Sequence, residues 1–338
     1  MAETENIAKI AGKISTDIFS AFGWRTAAPR NENWDCTAKK RHQTQPGTHP
    51  SDIVFSYEDP YDVGTTYVTT DLKSYASGTI TSIKVGAALG RLAMATECAT
   101  ASEDFARLFV ASDRTTKWSV VGLLFIYNHD GNYDASFDKL LEQVDEKHFA
   151  LPLGRRMFVL GPKHIEYLYS VAFDIAASRG KAELPAASEC SFFYPDLIRT
   201  KSRSRHDGAA ATLEWLTGPW QILGFDKHVS GGGVQRHSWV YYRGQADNTD
   251  EFKYLLDFLF RYQLIEVGHQ IRVRVFPSDA KKSQDIAALF AKAKVEYTTA
   301  AHPADRMDFE QRLKNVDVSM MSSFSVRFDD TELGMRDA

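Results

Sequence analysis

Two carboxylates and one lysine lie at a spacing that suits metal-dependent hydrolysis. Asp52 opens one β-type segment, and Asp71-Leu72-Lys73 ends the next one along the chain. Because side chains alternate along a strand, Asp71 and Lys73 share one face and Leu72 points to the other. If the two segments pair as a hairpin, Asp52 lies near Asp71. The two carboxylates and the Leu72 carbonyl would then offer a hard divalent cation the oxygen ligands that it prefers.

The lysine has a defined use beside such a cation. Lys73 would lie next to a metal-bound water, where it can orient that water or stabilise charge that develops on a phosphate. The alternative interpretation is a solvated Asp–Lys pair at a strand end, which contributes little to stability. The same tripeptide pattern, an acid two positions before a lysine, also occurs at 145–147, 251–253 and 279–281, in or beside helical patterns. Since only residues 71–73 end a β-type segment, we expect the site there.

This pattern resembles that of the PD-(D/E)xK nuclease superfamily. The mark of the superfamily is an acidic residue on one strand, often after a proline, and (D/E)-x-K on the neighbouring strand. Here residues 49–52 read HPSD and residues 71–73 read DLK, so that Ser51 separates the proline from Asp52. The resemblance covers about residues 5–130, where a leading helix, three strands, a long helix and an apolar strand are predicted in that order.

The resemblance implies an enzyme that hydrolyses phosphodiester bonds in DNA or, less often, RNA, with Mg²⁺ or Mn²⁺ as cofactor. The two aspartates and the Leu72 carbonyl would bind the metal, and Lys73 would position the attacking water. Members of the superfamily often add an acidic residue from the leading helix. Asp17 is the candidate for this role and Glu5 the second choice, although many relatives have Glu where Asp17 stands.

Three further residues are candidates for contacts with nucleic acid. Tyr75 continues the alternation of the strand and would stand at the rim of the site, unless it is an ordinary strand-end aromatic. Lys84 and Arg91 are seven residues apart on the following helix, so they share a face that either contacts a phosphate backbone or is simply solvated. The basic residues 199–205 are either a phosphate-binding arm or a charged interdomain linker.

The elements that must position these residues alternate as in an α/β protein. We predict a restriction-endonuclease-like mixed sheet flanked by helices, followed by a second, C-terminal α/β domain. Residues 1–180 would carry the nuclease site, residues 181–211 would be a linker, and residues 212–338 would serve substrate selection or assembly. The sequence shows no internal repeat. The predicted helices cover 5–22, 80–110, 137–144, 164–177, 250–265 and 281–294, and the predicted strands cover 52–57, 65–73, 118–127, 157–160, 238–242, 270–276 and 323–328.

Composition and charge exclude several classes of protein. Of the 338 residues, 43% are hydrophobic and 25% are charged, which is typical of a globular protein and not of a disordered one. The 40 basic and 44 acidic residues give a formal net charge of −4, which excludes a globally basic nucleic-acid coat but not a local basic groove. The N-terminus lacks an apolar run of signal-peptide length, and the apolar run 120–126 is too short to span a bilayer. We therefore expect a cytoplasmic protein without a membrane partner.

The cysteines and histidines form no recognisable metal motif. Cys36, Cys98 and Cys190 are far apart and include no CxxC pair, so we expect neither a zinc site nor a disulfide framework, but free thiols in a reducing compartment. His49, His206, His228 and His237 lack a ligand spacing such as HExxH, and we assign them no metal.

The first hypothesis is therefore a metal-dependent nuclease, with DNA favoured over RNA. Its negative net charge requires a local groove for the nucleic acid, completed by a second copy of the chain or by a partner subunit. By analogy, such a domain suits restriction or anti-phage defence, mobile-element processing or repair, and we favour defence slightly. The alternative is a non-catalytic subunit that binds nucleic acid or assembles with a partner, with the apolar residues 252–262 as interface instead of core. A small-molecule α/β enzyme is a third hypothesis, for which the sequence offers no nucleotide-binding fingerprint.

Overall fold

The computed structural model describes residues 2–45, 47–61, 64–111, 117–149, 151–152, 154–195, 209–229, 232–276 and 286–323. These residues form two compact units, one that ends at Tyr169 and one that runs from Ser170 to Ser323. The sequence analysis placed the domain boundary after residue 180, and that division remains a prediction.

The first unit consists of a five-stranded sheet, a two-stranded ribbon and several helices. Its helices are α1 (Ala2–Ala21), α2 (Lys39–His42), α3 (Ser82–Ala99), α4 (Glu103–Phe109), α5 (Phe137–Leu141) and the first part of α6 (Pro162–Gly180). Its strands are β1 (Arg25–Ala27), β2 (Glu32–Asp35), β3 (Thr48–Ser51), β4 (Val54–Glu58), β5 (Thr65–Tyr75), β6 (Trp118–Asn128) and β7 (Met157–Leu160). Strands β2 and β3 form the ribbon, and the other strands form the sheet in the order β1-β4-β5-β6-β7.

The sheet of the first unit is mixed, and β5 joins its two halves. Strands β1, β4 and β5 are antiparallel neighbours, whereas β5, β6 and β7 are parallel neighbours. Strand β6, with the sequence WSVVGLLFIYN, is buried along most of its length, as a strand between two parallel neighbours usually is. Strand β5 pairs with β6 over all of its 11 residues. The end of β5 is therefore held on the buried β6.

Helices cover both faces of this sheet. On one face the ring of Phe19 in α1 contacts Phe55 of β4 and Phe125 of β6, at centroid distances of 5.0 and 6.1 Å. On the other face Leu124 and Ile126 of β6 pack in one apolar cluster with α3. Successive residues of β6 thus point to α1 and to α3 in turn, as the pleat of a strand requires.

The second unit is built around another five-stranded sheet. It starts with the last part of α6 and continues with the helices α7 (Leu213–Thr217), α8 (Thr249–Arg261), α9 (Ile286–Ala300) and α10 (Arg306–Leu313). Its strands are β8 (Cys190–Phe192), β9 (Trp220–Val229), β10 (Gly233–Tyr242), β11 (Gln270–Val275) and β12 (Val316–Met320). They lie in the order β8-β9-β10-β11-β12.

The second sheet repeats the strand directions of the first. Strands β8, β9 and β10 are antiparallel neighbours, as β1, β4 and β5 are, and strands β10, β11 and β12 are parallel neighbours, as β5, β6 and β7 are. In both units a helix precedes the first strand of the sheet, and a helix joins the third strand to the fourth. The sequence shows no repeat, so the two units share a topology without a visible similarity of residues.

The predicted fold class is confirmed: the N-terminal part has a mixed sheet with helices, and the C-terminal part has a second sheet. The predicted linker 181–211 contains β8, which belongs to that second sheet. The basic residues 199–205 lie outside the described residues, as does almost all of the predicted strand 323–328. Within the described part of the chain, no helix has both the length and the apolar composition that crossing a membrane requires.

Candidate active site

The hairpin of β4 and β5 brings Asp52 close to Asp71, whose carboxylate raises the pKa of Asp52. The ladder of the two strands starts with Val54 opposite Thr69, and Asp52 lies two residues before it. There the N–H of Asp52 donates to the carbonyl of Thr70 at 3.3 Å, and the N–H of Thr70 donates to the carbonyl of Ile53 at 3.2 Å. The hairpin that the sequence analysis required therefore forms.

The backbone around Asp52 is held from two sides. The carbonyl of Asp52 accepts a hydrogen bond from the N–H of Asn31 at 2.8 Å. The hydroxyl of Thr70 donates to the carbonyl of Ile53 at 2.6 Å and accepts from the N–H of the same residue at 3.2 Å. Because neighbouring segments fix this backbone, the carboxylate of Asp52 is presented in a defined orientation, as a metal site requires.

The carboxylate of Asp52 is partly buried and hydrogen-bonded. Its Oδ2 accepts from the N–H of Leu72 at 2.7 Å. Burial raises the pKa of Asp52, the Leu72 hydrogen bond lowers it, the Asp71 carboxylate raises it and Lys73 lowers it, and the net pKa is above the ordinary value for aspartate. A divalent cation next to Asp52 would favour its ionised form and so offset the effect of the neighbouring Asp71 carboxylate.

Lys73 forms an ion pair with Asp71 on the same strand. The Nζ of Lys73 contacts Oδ1 of Asp71, and the two side chains are 24% and 16% exposed. The cross-strand partners of these residues on β6 are Ile126 and Leu124, which pack against α3. The alternation predicted for Asp71 and Lys73 is thus present, and both side chains lie on the α3 face of the sheet.

The leading helix approaches the sheet from the opposite face. A Cβ at Gly12 of α1 would lie 3.6 Å from Cδ1 of Ile53. Asp17 is exposed on this helix. Its assignment as a further catalytic acid, with Glu5 as second choice, remains a prediction, and the position of α1 on the face away from Asp71 does not favour Asp17.

Two of the three predicted nucleic-acid contacts lie together at the end of β5. The Nζ of Lys84 lies 5.6 Å from the ring centre of Tyr75, a cation–π geometry. The side chain of Lys84 is exposed and that of Tyr75 is half-buried. The carbonyl of Tyr75 accepts from the side-chain amide of Asn128 at 3.0 Å and from the N–H of His129 at 3.2 Å, so the strand end is fixed.

Arg91 lies two turns further along α3. It is exposed and lines a groove of about 510 Å³ together with Gly86, Gly90 and residues 143–145. A Cβ at Gly86 would lie 3.1 Å from Cγ1 of Val144, so Val144 approaches α3 closely at this point. A contact of Arg91 with nucleic acid remains a prediction.

The loop after β6 contributes a carboxylate that the sequence analysis did not single out. Asp130 accepts hydrogen bonds from the N–H and the hydroxyl of Ser77, at 2.8 and 3.0 Å, and from the side-chain amide of Asn128, at 2.7 Å. Burial raises the pKa of Asp130, but these hydrogen bonds and one from the N–H of Asn132 outweigh it and lower the pKa to about 2. Asp130 therefore stays ionised and joins the turn after β5 to the loop after β6. The sequence alone does not single out Asp130, because aspartates in polar loops are common.

The second unit differs at the corresponding end of its sheet. There β9 begins beside the end of β10, and residues 218–221 read GPWQ while residues 241–244 read YYRG, without a carboxylate. The hydroxyl of Tyr241 donates to Asp174 of α6 at 3.1 Å, and Arg274 of β11 forms an ion pair with the same carboxylate. Asp174 is thus paired with a cation of the chain itself, and a second carboxylate, that of Glu251, accepts from the hydroxyl of Tyr242 at 2.8 Å.

The mixed sheet of the first unit and its Asp–Asp–Lys set have the form of a PD-(D/E)xK nuclease. Residues 1–164 match the family model described as the GAPS4 protein PD-(D/E)XK nuclease domain. The resemblance predicted for the N-terminal part of the chain is therefore confirmed. Neither the comparison with curated proteins nor that with solved structures found a match.

Proposed function

We propose that this chain is a nuclease that hydrolyses phosphodiester bonds in DNA with Mg²⁺ or Mn²⁺ as cofactor. The observation that carries the proposal is the proximity of Asp52, two residues before β4, to Asp71 on the adjacent strand β5, with Lys73 beside them. The donor set fits a hard divalent cation, because both ligands are carboxylates and the buried one is more easily ionised next to a positive charge. We name DNA rather than RNA as the substrate only because the chain resembles a superfamily whose members more often cut DNA.

Each residue of the set has a separate task in this mechanism. Asp52 and Asp71, with the Leu72 carbonyl as a further oxygen, would hold the cation, which when bound supplies a Lewis acid for the phosphate and acidifies water. Lys73 would donate a hydrogen bond from Nζ to the attacking water and offset the charge that develops on the phosphate oxygens. Its ion pair with Asp71 keeps the ammonium group at the site, and its partial exposure leaves it accessible to substrate.

The nucleic acid would be held by local charge. Because the formal net charge of the chain is −4, the whole molecule does not attract a polyanion. Lys84 offers an exposed ammonium beside the ring of Tyr75, so this pair can contact a phosphate and an adjoining sugar or base. Arg91 would extend the contact along α3.

We further propose that the second unit serves substrate selection or assembly. Its sheet has the strand directions of the nuclease unit but no carboxylate at residues 218–221 or 241–244. A place in restriction or anti-phage defence, a cytoplasmic location and assembly with a second copy or a partner subunit belong to the same proposal and rest on analogy. The competing function is a subunit that binds nucleic acid without cutting it.

The test compares the full chain with Asp71→Ala and Lys73→Ala. Each protein is incubated with linear duplex, circular duplex, single-stranded DNA and RNA, in Mg²⁺, Mn²⁺ or EDTA. Lys147→Ala is the matched control, because Lys147 ends another acid-x-Lys tripeptide and is exposed. We expect metal-dependent cleavage that each site variant lowers at least about 100-fold and the control retains.

The outcomes separate the two functions. Cleavage that survives both site substitutions would overturn the assignment of the catalytic residues. Nucleic-acid binding without cleavage in any metal, by a wild-type chain that binds Mn²⁺, would favour the non-catalytic subunit. Cleavage of RNA alone would correct the substrate and keep the mechanism.

A further inference from the structure

Four metal-ligating side chains meet in the first unit, away from the Asp–Asp–Lys set. They come from four different segments: Cys36 follows β2, His42 ends α2, His49 lies on β3 and Cys98 lies near the end of α3. One ligand atom from each lies within 4.8 Å of the other three. Three of these residues are buried and His42 is half-buried.

Four of the six distances between the donor atoms match the edges of a tetrahedron, and the two from His49 to the sulfur atoms are within 4.8 Å. The two sulfur atoms are 3.8 Å apart, Nδ1 of His42 lies 3.5 and 3.4 Å from the sulfurs of Cys36 and Cys98, and it lies 3.4 Å from Nε2 of His49. Zinc with ordinary bond lengths to sulfur and nitrogen in tetrahedral geometry requires about 3.8 Å between sulfurs, about 3.6 Å between sulfur and nitrogen, and about 3.3 Å between nitrogens. All four measured distances fit.

Hydrogen bonding does not account for this arrangement. Nδ1 of His42 lies near three polar atoms at once, whereas one ring nitrogen has either one proton or one lone pair to share. A disulfide does not account for it either, because bonded sulfurs are about 2.05 Å apart and those of Cys36 and Cys98 are 3.8 Å apart. The atoms converge on a common centre, as ligands of one ion do.

A second layer of contacts orients His42. Its other ring nitrogen, Nε2, lies 3.3 Å from Oε2 of Glu97, and Glu97 in turn forms an ion pair with Arg41. A carboxylate on the far nitrogen of a histidine is the usual outer partner of a metal ligand, since it fixes the ring and the tautomer. On the cysteine side, the N–H of Cys36 donates to the carbonyl of Gly47 at 3.1 Å.

We infer that Cys36, His42, His49 and Cys98 bind one Zn²⁺ ion with a structural role. Two thiolates and two imidazoles in a tetrahedron select zinc, and four protein ligands leave no open position for substrate. The ion would tie the β2–β3 ribbon to α3. The inference departs from the expectation that Cys36, Cys98 and His49 are not metal ligands, which rested on the lack of closely spaced pairs in the sequence. The inference does not depend on the proposed nuclease function, whose ligands are oxygens.

Metal analysis of the full chain tests the inference. The protein is purified without chelator and its zinc content is measured for the wild type, Cys98→Ser, Cys190→Ser and Asp71→Ala. Cys190 is the matched control, because it is a buried free cysteine of the second unit. We expect about one zinc per chain in the wild type and in the last two variants, and a loss of about tenfold or more in Cys98→Ser. Zinc that is retained in Cys98→Ser but lost in Asp71→Ala would overturn the inference.

A spectroscopic test needs no substitution and so does not depend on a variant that folds. The wild-type chain is stripped of zinc and titrated with Co²⁺. We expect the visible bands of tetrahedral Co²⁺ together with thiolate-to-metal charge transfer, and their disappearance when one equivalent of Zn²⁺ is added. The weak spectrum of octahedral Co²⁺, or a wild-type protein that binds neither ion, would refute the site.

Discussion

Replacement of Lys73 by alanine should change catalysis and metal affinity in opposite directions. The ammonium group of Lys73 contacts Asp71. A cation bound to the same carboxylate would lie roughly 5 Å from this group, given a metal–oxygen distance of about 2.1 Å. At that separation a double and a single positive charge repel each other by about 1.7 kcal/mol even in a dielectric as high as that of water. Without the lysine, Mg²⁺ should therefore bind on the order of tenfold more tightly.

The rate of cleavage should fall at the same time. Loss of a group that stabilises charge in the transition state typically lowers the rate 10²–10³-fold, or about 2.7–4 kcal/mol. Mg²⁺ binding is measured by titration calorimetry without substrate, and cleavage is measured at saturating Mg²⁺, with Lys147→Ala beside Lys73→Ala. Misfolding would lower both quantities. Weaker Mg²⁺ binding by a folded Lys73→Ala protein, or cleavage at the wild-type rate, would refute the reasoning.

Two further predictions concern stability, and both are checked by urea denaturation. At Gly122 of β6 a Cβ would lie 2.3 Å from Oγ1 of Thr96, so Gly122→Ala should destabilise the first unit by about 1–3 kcal/mol. Gly78 has open space around it, and Gly78→Ala should leave the stability unchanged. Equal effects of the two substitutions would contradict the packing argument. In the second unit, burial first and nearby cations second lower the pKa of His269 to about 4. Between pH 6.5 and 4 the folded state then binds fewer protons than the unfolded state. The free energy of unfolding should therefore be about 2 kcal/mol lower at pH 5 than at pH 7. His269→Gln should remove this pH dependence, whereas His228→Gln, at an exposed position, should retain it. If the free energy of unfolding of His269→Gln still falls with pH as in the wild type, another group is responsible.

The Asp–Asp–Lys set was predictable because its geometry is local. Alternation along β5 decides that Asp71 and Lys73 share a face, and the antiparallel pairing of two consecutive strands brings Asp52 close. Neither step requires knowledge of the rest of the fold. The role of Asp17 depends on which face of the sheet α1 covers, and hydrophobic periodicity does not contain that information.

The cluster of Cys36, His42, His49 and Cys98, for which we propose zinc, was missed because its members are brought together only by the tertiary structure. Cys36 and Cys98 are 62 residues apart, and the second lies on a helix that crosses the sheet. The repeated strand directions of the two sheets escaped notice for a similar reason. The topology of a sheet depends on which segments are apolar and on their order along the chain. Strands β5 and β10 can therefore hold equivalent positions in their two sheets without similar sequences.

Strand β5 has a consequence for how the candidate site exchanges its amide protons with solvent. Its residues 66–70 are buried, and it pairs with β4 on one side and with β6 on the other. Amides in such a strand exchange through global unfolding and not through local fraying. Asp71 and Lys73 continue this same strand, so their backbone geometry should persist until the first unit unfolds as a whole. Mild denaturant should accordingly abolish deuterium protection of β5 and function of the site at one and the same concentration.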